Sequence, residues 1–360
     1  MFEGYSNITA KNWLAGGTSI DKQDGMFSND FFVYDLAFRR SIYCFNNRLT
    51  VLTTNMKLLE RNRRPVVTTL FQSNFTELDE VVLTFNSQTK ITEFPYEQTF
   101  DVNQLESIID HRKLTYYLHP NENQNQSYQI KIRYGEQEMT YCNQQYLIDP
   151  KNNPIIDMKS KKFREPNFED NEKYFRTTKD QFGLGYIEHL QVDDGTGSFV
   201  YTILIDQDNL DRWISEHSYE DRDPWSSTDL SRLPPTIILS KTDDQHIFYD
   251  RETDTTCYAC FSKDHLNVNI GFVQSFGEPC FAMVRGRGPG TIRVSIATTD
   301  FMLKETMWMV LKGQWDNPQL ISEDENGSVH VRSEILDNGD TKITVWQRIY
   351  LPVEFHITQA

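Results

Sequence analysis

Hydrophobic and polar positions alternate with a period of two along most of the chain. The runs that do so are rich in β-branched and aromatic residues. They include Phe31–Phe38, Ile42–Phe45, Leu49–Thr54, Val66–Gln72, Val81–Phe85 and Tyr128–Tyr134. Gly185–Leu190, Phe199–Asp206, Thr236–Ser240, His246–Asp250, Cys257–Phe261 and Cys280–Arg285 continue the series. Thr291–Thr298, Thr306–Lys312, Ser328–Glu334 and Thr341–Tyr350 complete it. Such alternation is the mark of strands with one face buried. Turn chemistry lies between them, at Asn46-Asn47, Asp194-Gly195-Thr196-Gly197, Arg287-Gly288-Pro289-Gly290, Asn326-Gly327 and Asp337-Asn338-Gly339-Asp340. One helical candidate stands out, Gln207–His217, where Leu210, Trp213 and Ile214 fall at helical spacing. The pattern predicts a mainly β protein built from antiparallel sandwiches.

A length of 360 residues suits two domains. The polar stretch His217–Pro235, closed by Pro234-Pro235, is the best boundary. A larger sandwich over 1–218, a linker over 219–235 and a smaller sandwich over 236–360 are expected. Val102–Lys179 is the least regular stretch and reads as long surface excursions, with a basic patch at Lys159–Arg164.

Charge narrows the function. The formal net charge is −16, a field that repels nucleic-acid phosphates and anionic lipid. No run approaches the roughly 18 apolar residues of a membrane span. Met1-Phe2-Glu3-Gly4-Tyr5 has neither the basic nor the apolar region of a signal peptide, so none is expected. Aromatic residues reach 13%. That fits a bulky β core, and also surfaces that meet sugars.

The motifs of common enzyme chemistry are absent: no nucleophile elbow, phosphate loop, zinc-protease helix or EF-hand loop. Cys257-Tyr-Ala-Cys260 has CxxC spacing but lies in a strand-like run, and five scattered cysteines do not make a disulfide framework, so buried structural cysteines are expected. Neither a metal nor a cofactor is expected. His189 reads as a buried, hydrogen-bonded histidine, and Gly286–Gly290 as a hairpin tip. The segment Asn12–Phe27 is the most distinctive. Gly16-Gly17 permits a sharp turn, Trp13 offers an aromatic face, and Asp21, Lys22, Gln23 and Asp24 put charge of both signs on one loop. Such a loop can line a sugar site or position a proton-transfer partner, or be a plain solvated connection.

That loop, with Phe31–Leu36, Arg39–Leu49 and Val66-Val67-Thr68-Thr69-Leu70-Phe71-Gln72, resembles polysaccharide lyase family 8, in its chondroitin sulfate ABC lyase branch. Weaker matches follow in order at Phe94-Pro95-Tyr96, Ile187-Glu188-His189, Tyr201–Asp206, Gln245–Asp250, Gly313-Gln314-Trp315 and Tyr350–Glu354. The resemblance implies a large antiparallel super-sandwich of galactose mutarotase-like type, followed by a smaller C-terminal sandwich. It implies cleavage of uronate-containing glycosaminoglycans by β-elimination. In the family the Tyr, His and Arg or Asn of catalysis sit on an α/α toroid, which these residues do not include. This chain is then expected to form one wall of the cleft and to be inactive alone. Its partners would be an acidic polysaccharide and a toroid in the same gene or a neighbouring chain. Related full-length lyases are secreted or periplasmic. Asp21 takes the place of a family Glu, one methylene longer, with an accessory role that orients or charge-balances catalytic groups. Trp13, Lys22 and Gln23 would touch substrate. Two other readings stay open. One is a free-standing carbohydrate-binding protein using the basic clusters Lys159–Arg164 and Arg285–Arg293; the other is a structural protein without a ligand.

Overall fold

The computed structural model describes residues 11–33, 36–58, 66–75, 82–86, 88–101, 104–119, 128–142, 156–157, 162–163, 175–190, 197–205, 236–262, 266–298, 306–321, 329–346 and 352–360. Every regular element among them is a strand. The chain begins with β1 (Lys11–Ile20), β2 (Asp24–Val33), β3 (Leu36–Phe45) and β4 (Arg48–Leu58). Next come β5 (Val66–Phe75), β6 (Leu83–Phe85), β7 (Thr89–Ile91), β8 (Tyr96–Asp101), β9 (Ser107–Ile109) and β10 (Thr115–Leu118). β11 (Tyr128–Cys142), β12 (Ile156–Asp157), β13 (Lys162–Phe163), β14 (Phe175–His189) and β15 (Gly197–Leu204) follow. The last part holds β16 (Thr236–Lys241), β17 (Gln245–Asp250), β18 (Thr255–Cys260), β19 (Leu266–Ile270), β20 (Val273–Phe276) and β21 (Cys280–Gly286). It ends with β22 (Thr291–Thr298), β23 (Thr306–Leu311), β24 (Trp315–Leu320), β25 (His330–Ile335), β26 (Thr341–Trp346) and β27 (Val353–Gln359). The mainly β expectation holds, and the strand pairings are antiparallel.

The strands fall into two compact units that interleave along the chain. One carries β5–β9 and β11–β14; the other carries β1–β4, β10 and β15–β27. The helical candidate Gln207–His217 and the linker 219–235 lie outside the described residues, as do the side chains of Lys159–Arg164.

In the first unit, β5, β14, β11 and β8 form a sheet in that order. The long partners β11 and β14 pair from Tyr128 opposite His189 to Cys142 opposite Phe175. Part of the stretch expected to be surface excursions is therefore sheet. Gly185 on β14 is bare for a reason: a Cβ there would lie 2.4 Å from the Phe71 ring. That ring packs in turn 6.0 Å from Tyr134. His189 is buried as expected, its Nε2 3.1 Å from Thr68 Oγ1.

The second unit is a three-layer stack. Its first sheet runs β1-β2-β3-β4-β15-β10. The middle sheet has seven strands in the order β16-β17-β18-β21-β22-β27-β24, and the third runs β19-β20-β23-β26-β25. The central strands of the middle sheet, β18 and β21, are buried on both faces. Phe248, Cys257, Ala259, Phe281 and Met283 pack against Ile20, Met26, Tyr43, Phe45 and Leu52 of the first sheet. Tyr258, Cys260, Ala282 and Val284, on the opposite face, pack against Val273, Met309, Ile343 and Val345 of the third. Tyr43 and Phe248 stack with centroids 4.5 Å apart. Each fully buried Val, Leu, Ile, Phe or Met contributes about 1.5–3 kcal/mol, so both faces of the middle sheet stabilise the unit. Alternation along β18 explains the CxxC: Cys257 and Cys260 point to opposite faces and cannot share a ligand.

Polar groups cross the first interface in hydrogen-bonded sets, as burial requires. Ser28 donates to Ser41 at 2.8 Å. Ser41 is bonded to His246 Nδ1 at 2.7 Å, and Thr54 to His246 Nε2 at 2.8 Å. Burial, helped by Arg39 and Lys241, lowers the His246 pKa to about 3, so the ring is neutral. Arg48 pairs with the buried Asp250 at 2.8 Å, and Thr253 donates to Asp250 through both its backbone N–H and its hydroxyl.

Two sequence expectations change here. Phe31–Phe38 is not one strand: β2 ends at Val33 and β3 begins at Leu36, with Phe31 paired to Phe38. The aromatic run hides this break. Gly16-Gly17 is not a turn but the middle of β1, opposite Ser28 and Phe27. The reason is packing: a Cβ on Gly16 would meet the Phe281 ring at 2.9 Å.

Candidate functional site

β1 and β2 form a hairpin whose tip is Asp21-Lys22-Gln23. The Gln23 N–H donates to the Ile20 carbonyl at 3.2 Å. Asp21 and Lys22 both have φ of 59°, the positive values that tight hairpin turns demand. Asp accepts this region more readily than most residues; Lys does so at some cost. The tip faces a second one, the turn Arg287–Gly290 between β21 and β22, with Gly288 at φ 109° and Gly290 at 71°.

Asp21 lies where three arginines converge. Arg285 Nη1 donates to its Oδ2 at 2.8 Å, and Arg287 donates to the same oxygen. Arg293 donates to Oδ1. Arg285 also pairs with Asp24 and donates through Nε to Thr255 Oγ1 at 2.7 Å. Arg293 Nε pairs with Glu354 at 2.6 Å, and the Asp21 N–H donates to the same Glu354 oxygen at 3.2 Å. Three guanidinium groups thus meet three carboxylates.

Strand register sets up the cluster. Asp250, Thr255, Arg285, Arg293 and His356 are successive cross-strand partners on β17, β18, β21, β22 and β27. Two arginines side by side repel one another unless anions stand over them, and the β1–β2 tip supplies those anions. Burial alone would raise the Asp21 carboxyl. Arg293, Arg287 and Arg285 outweigh it and hold the group below the usual carboxylate range. His356 is shifted down, first by burial and then by Arg293 and Arg287, and its Nδ1 is buried without a hydrogen-bond partner.

Asp21 is therefore a fixed anion and a poor proton carrier, since its oxygens are engaged by guanidinium groups. It can orient arginines and balance their charge. Lys22 and Gln23 are exposed at the tip, and Arg287 is 38% exposed beside them. Trp13 is not brought to this place. It lies on β1 eight residues before Asp21, about 26 Å away along an extended strand, at an irregularity of register between Asn12 and Leu14. Its side chain lies outside the described residues. Asp24, Glu354 and His356 belong to the cluster without having been singled out as partners of the basic residues. The signal available in the sequence was a pair of hairpin tips of opposite charge.

No family model matches this chain, and no curated protein does. Solved structures share its fold. A xanthan lyase from Paenibacillus superposes with a TM-score of 0.65 at 13% identity, over 96% of this chain and 29% of its own. A chondroitin AC lyase from Streptomyces coelicolor A3 gives 0.58 at 12% identity, over 96% of this chain and 36% of its own. A chondroitinase AC lyase solved with oligosaccharides gives 0.59 at 12% identity, over 95% of this chain and 39% of its own. The described fold is shared with a part of each of these lyases, and the chain spans 29% to 39% of their lengths.

Proposed function

We propose that this chain is the C-terminal, β-sandwich portion of a polysaccharide lyase. It would build one wall of a cleft that holds an acidic, uronate-containing polysaccharide, with chondroitin, dermatan or hyaluronan as the substrate class. The observation that carries the reading is the likeness in fold, across 95% or more of this chain, to lyases of xanthan and chondroitin. In β-elimination a base removes the proton at C5 of the uronate. A neighbouring positive or hydrogen-bonding group neutralises the uronate carboxylate, and an acid protonates the leaving glycosidic oxygen. A helical toroid would supply the base and the acid. The pinned, ionised Asp21 suits an accessory role, keeping Arg285, Arg287 and Arg293 in place. Lys22 and Gln23 are the groups at that tip free to meet a sugar.

The test follows the ultraviolet absorbance of unsaturated uronate with chondroitin sulfate, dermatan sulfate and hyaluronan. The isolated chain is expected to give none, and the chain joined to a lyase toroid to give turnover. Turnover by the isolated chain would overturn the expectation of inactivity alone, and failure of every joined form would overturn the lyase reading.

Free-standing carbohydrate binding is favoured by one feature, Phe27. The residue is 46% exposed on β2, opposite the bare Gly17, an apolar spot of the kind sugar rings stack on. The cluster Arg285–Arg293 supports this reading less than its sequence suggests, because carboxylates already neutralise it. Salt-insensitive binding of chondroitin by the isolated chain, lost in Phe27→Ala, would favour it.

A further inference from the structure

Two cysteines of the middle sheet stand where the chain leaves that sheet and where it returns. β18 ends at Cys260. The chain then forms β19 and β20, which belong to the third sheet, and re-enters the middle sheet at Cys280, the first residue of β21. The ladder sets Cys260 directly opposite Cys280. Residues so placed in antiparallel strands have Cα atoms about 4.5–5.5 Å apart. A disulfide closes without backbone movement over about 4.4–6.8 Å. Both side chains enter the same core, and each is 1% exposed. Both are free cysteines in this structure. Neither of the other cysteines with a described side chain competes. Cys257 lies opposite Met283 and faces the other core, and Cys44 is exposed on the first sheet.

We propose that Cys260 and Cys280 are a cross-strand disulfide site that clips shut the neck of the β19–β20 excursion. The oxidant is a small-molecule disulfide of the glutathione type, acting while the chain folds. The thiolate of one cysteine attacks that disulfide, breaking its S–S bond, forming a mixed disulfide and releasing one small thiol. The second cysteine gives its proton to solvent and attacks the protein sulfur of the mixed disulfide, releasing the second small thiol. Two protein thiols are oxidised and one small disulfide is reduced. Exchange precedes closure of the sheet, because thiols this deeply buried are out of reach of a small oxidant afterwards. The bond closes a loop of about 20 residues, a length at which a cross-link restrains the unfolded chain appreciably.

The experiment refolds the full chain in a buffer of oxidised and reduced glutathione, then digests it with trypsin after blocking free thiols. Peptides Glu252–Lys263 and Asp264–Arg285 are expected to run as one linked species, lighter by two hydrogens than the separate pair. The link persists in Cys257→Ser, where Cys260 is the sole cysteine of its peptide, and is lost in Cys280→Ser. Reductant lowers the Tm of the oxidised protein by several degrees and leaves Cys280→Ser unmoved. Separate peptides with every thiol blocked, in both the wild type and Cys257→Ser, would overturn the proposal. So would a link that vanishes in Cys257→Ser.

Discussion

The carboxylate of Asp21 and the guanidinium of Arg285 stand 264 positions apart in the chain and meet at 2.8 Å. The same carboxylate also takes Arg287 and Arg293. Removing it leaves adjacent cations facing one another with less to hold them. Asp21→Ala is expected to cost about 1–3 kcal/mol, since the site is largely but not fully sheltered from water. Urea denaturation would register this as a lower midpoint at unchanged slope. An unchanged midpoint would mean that the cluster is ornamental.

Acid acts on the same carboxylate. Its folded pKa is below the unfolded value of about 3.9. The stability it contributes is present above that value and is lost as pH falls through the folded pKa. The difference in stability between wild type and Asp21→Asn should therefore shrink below about pH 4. A difference that stays constant down to pH 2 would contradict the ion-pair account.

His246 titrates in a wider window. The unfolded imidazole binds a proton below about 6.5, while the buried ring stays neutral down to about 3. Between these limits the unfolded chain holds more protons, so stability declines as pH drops, by a few kcal/mol in all. His246→Gln should flatten the stability profile across that interval. A profile parallel to the wild type would show that the ring is protonated within the fold.

Arg48 and Asp250 form a buried pair with Glu252 at its rim. Asp250→Ala strips the main anion from Arg48 and leaves the Thr253 N–H without its acceptor. The expected loss is about 3–5 kcal/mol, and the joint change Arg48→Met with Asp250→Leu should recover part of it. A double-mutant cycle of thermal unfolding measures the coupling. Zero coupling would refute the pairing.

Gly16 is bare because Phe281 occupies the space its side chain would need. Gly16→Ala brings a Cβ to 2.9 Å from that ring and should cost about 1–3 kcal/mol. Phe281→Leu in the same chain is expected to relieve some of the loss. A Gly16→Ala protein as stable as the wild type would mean that the two sheets adjust freely.

Much of the fold was legible because local rules act locally. Thr291–Thr298 alternates cleanly between turn residues and is β22 to the residue. The Gly-Pro-Gly tip before it is the expected hairpin. The first hairpin was not legible, because Gly16-Gly17 satisfies a demand made by Phe281, far along the chain. The site was legible only in part. Asp21, Lys22 and Gln23 do share one tip, but nothing in their neighbourhood announces that Asp21 is claimed by arginines of β21 and β22. Trp13 is near them in sequence alone, a nearness that the extended β1 turns into distance.

The double-sided burial of the middle sheet's central strands bears on how this molecule can be taken apart. Cutting the chain ahead of Thr236 would strip the Phe248, Phe281 and Met283 face of its cover. The freed piece would carry a broad sticky plane, prone to self-association in the test tube. Engineers wanting a minimal fragment should therefore keep the first four strands together with the last twelve, joined covalently or co-produced, and not trim to the tail alone.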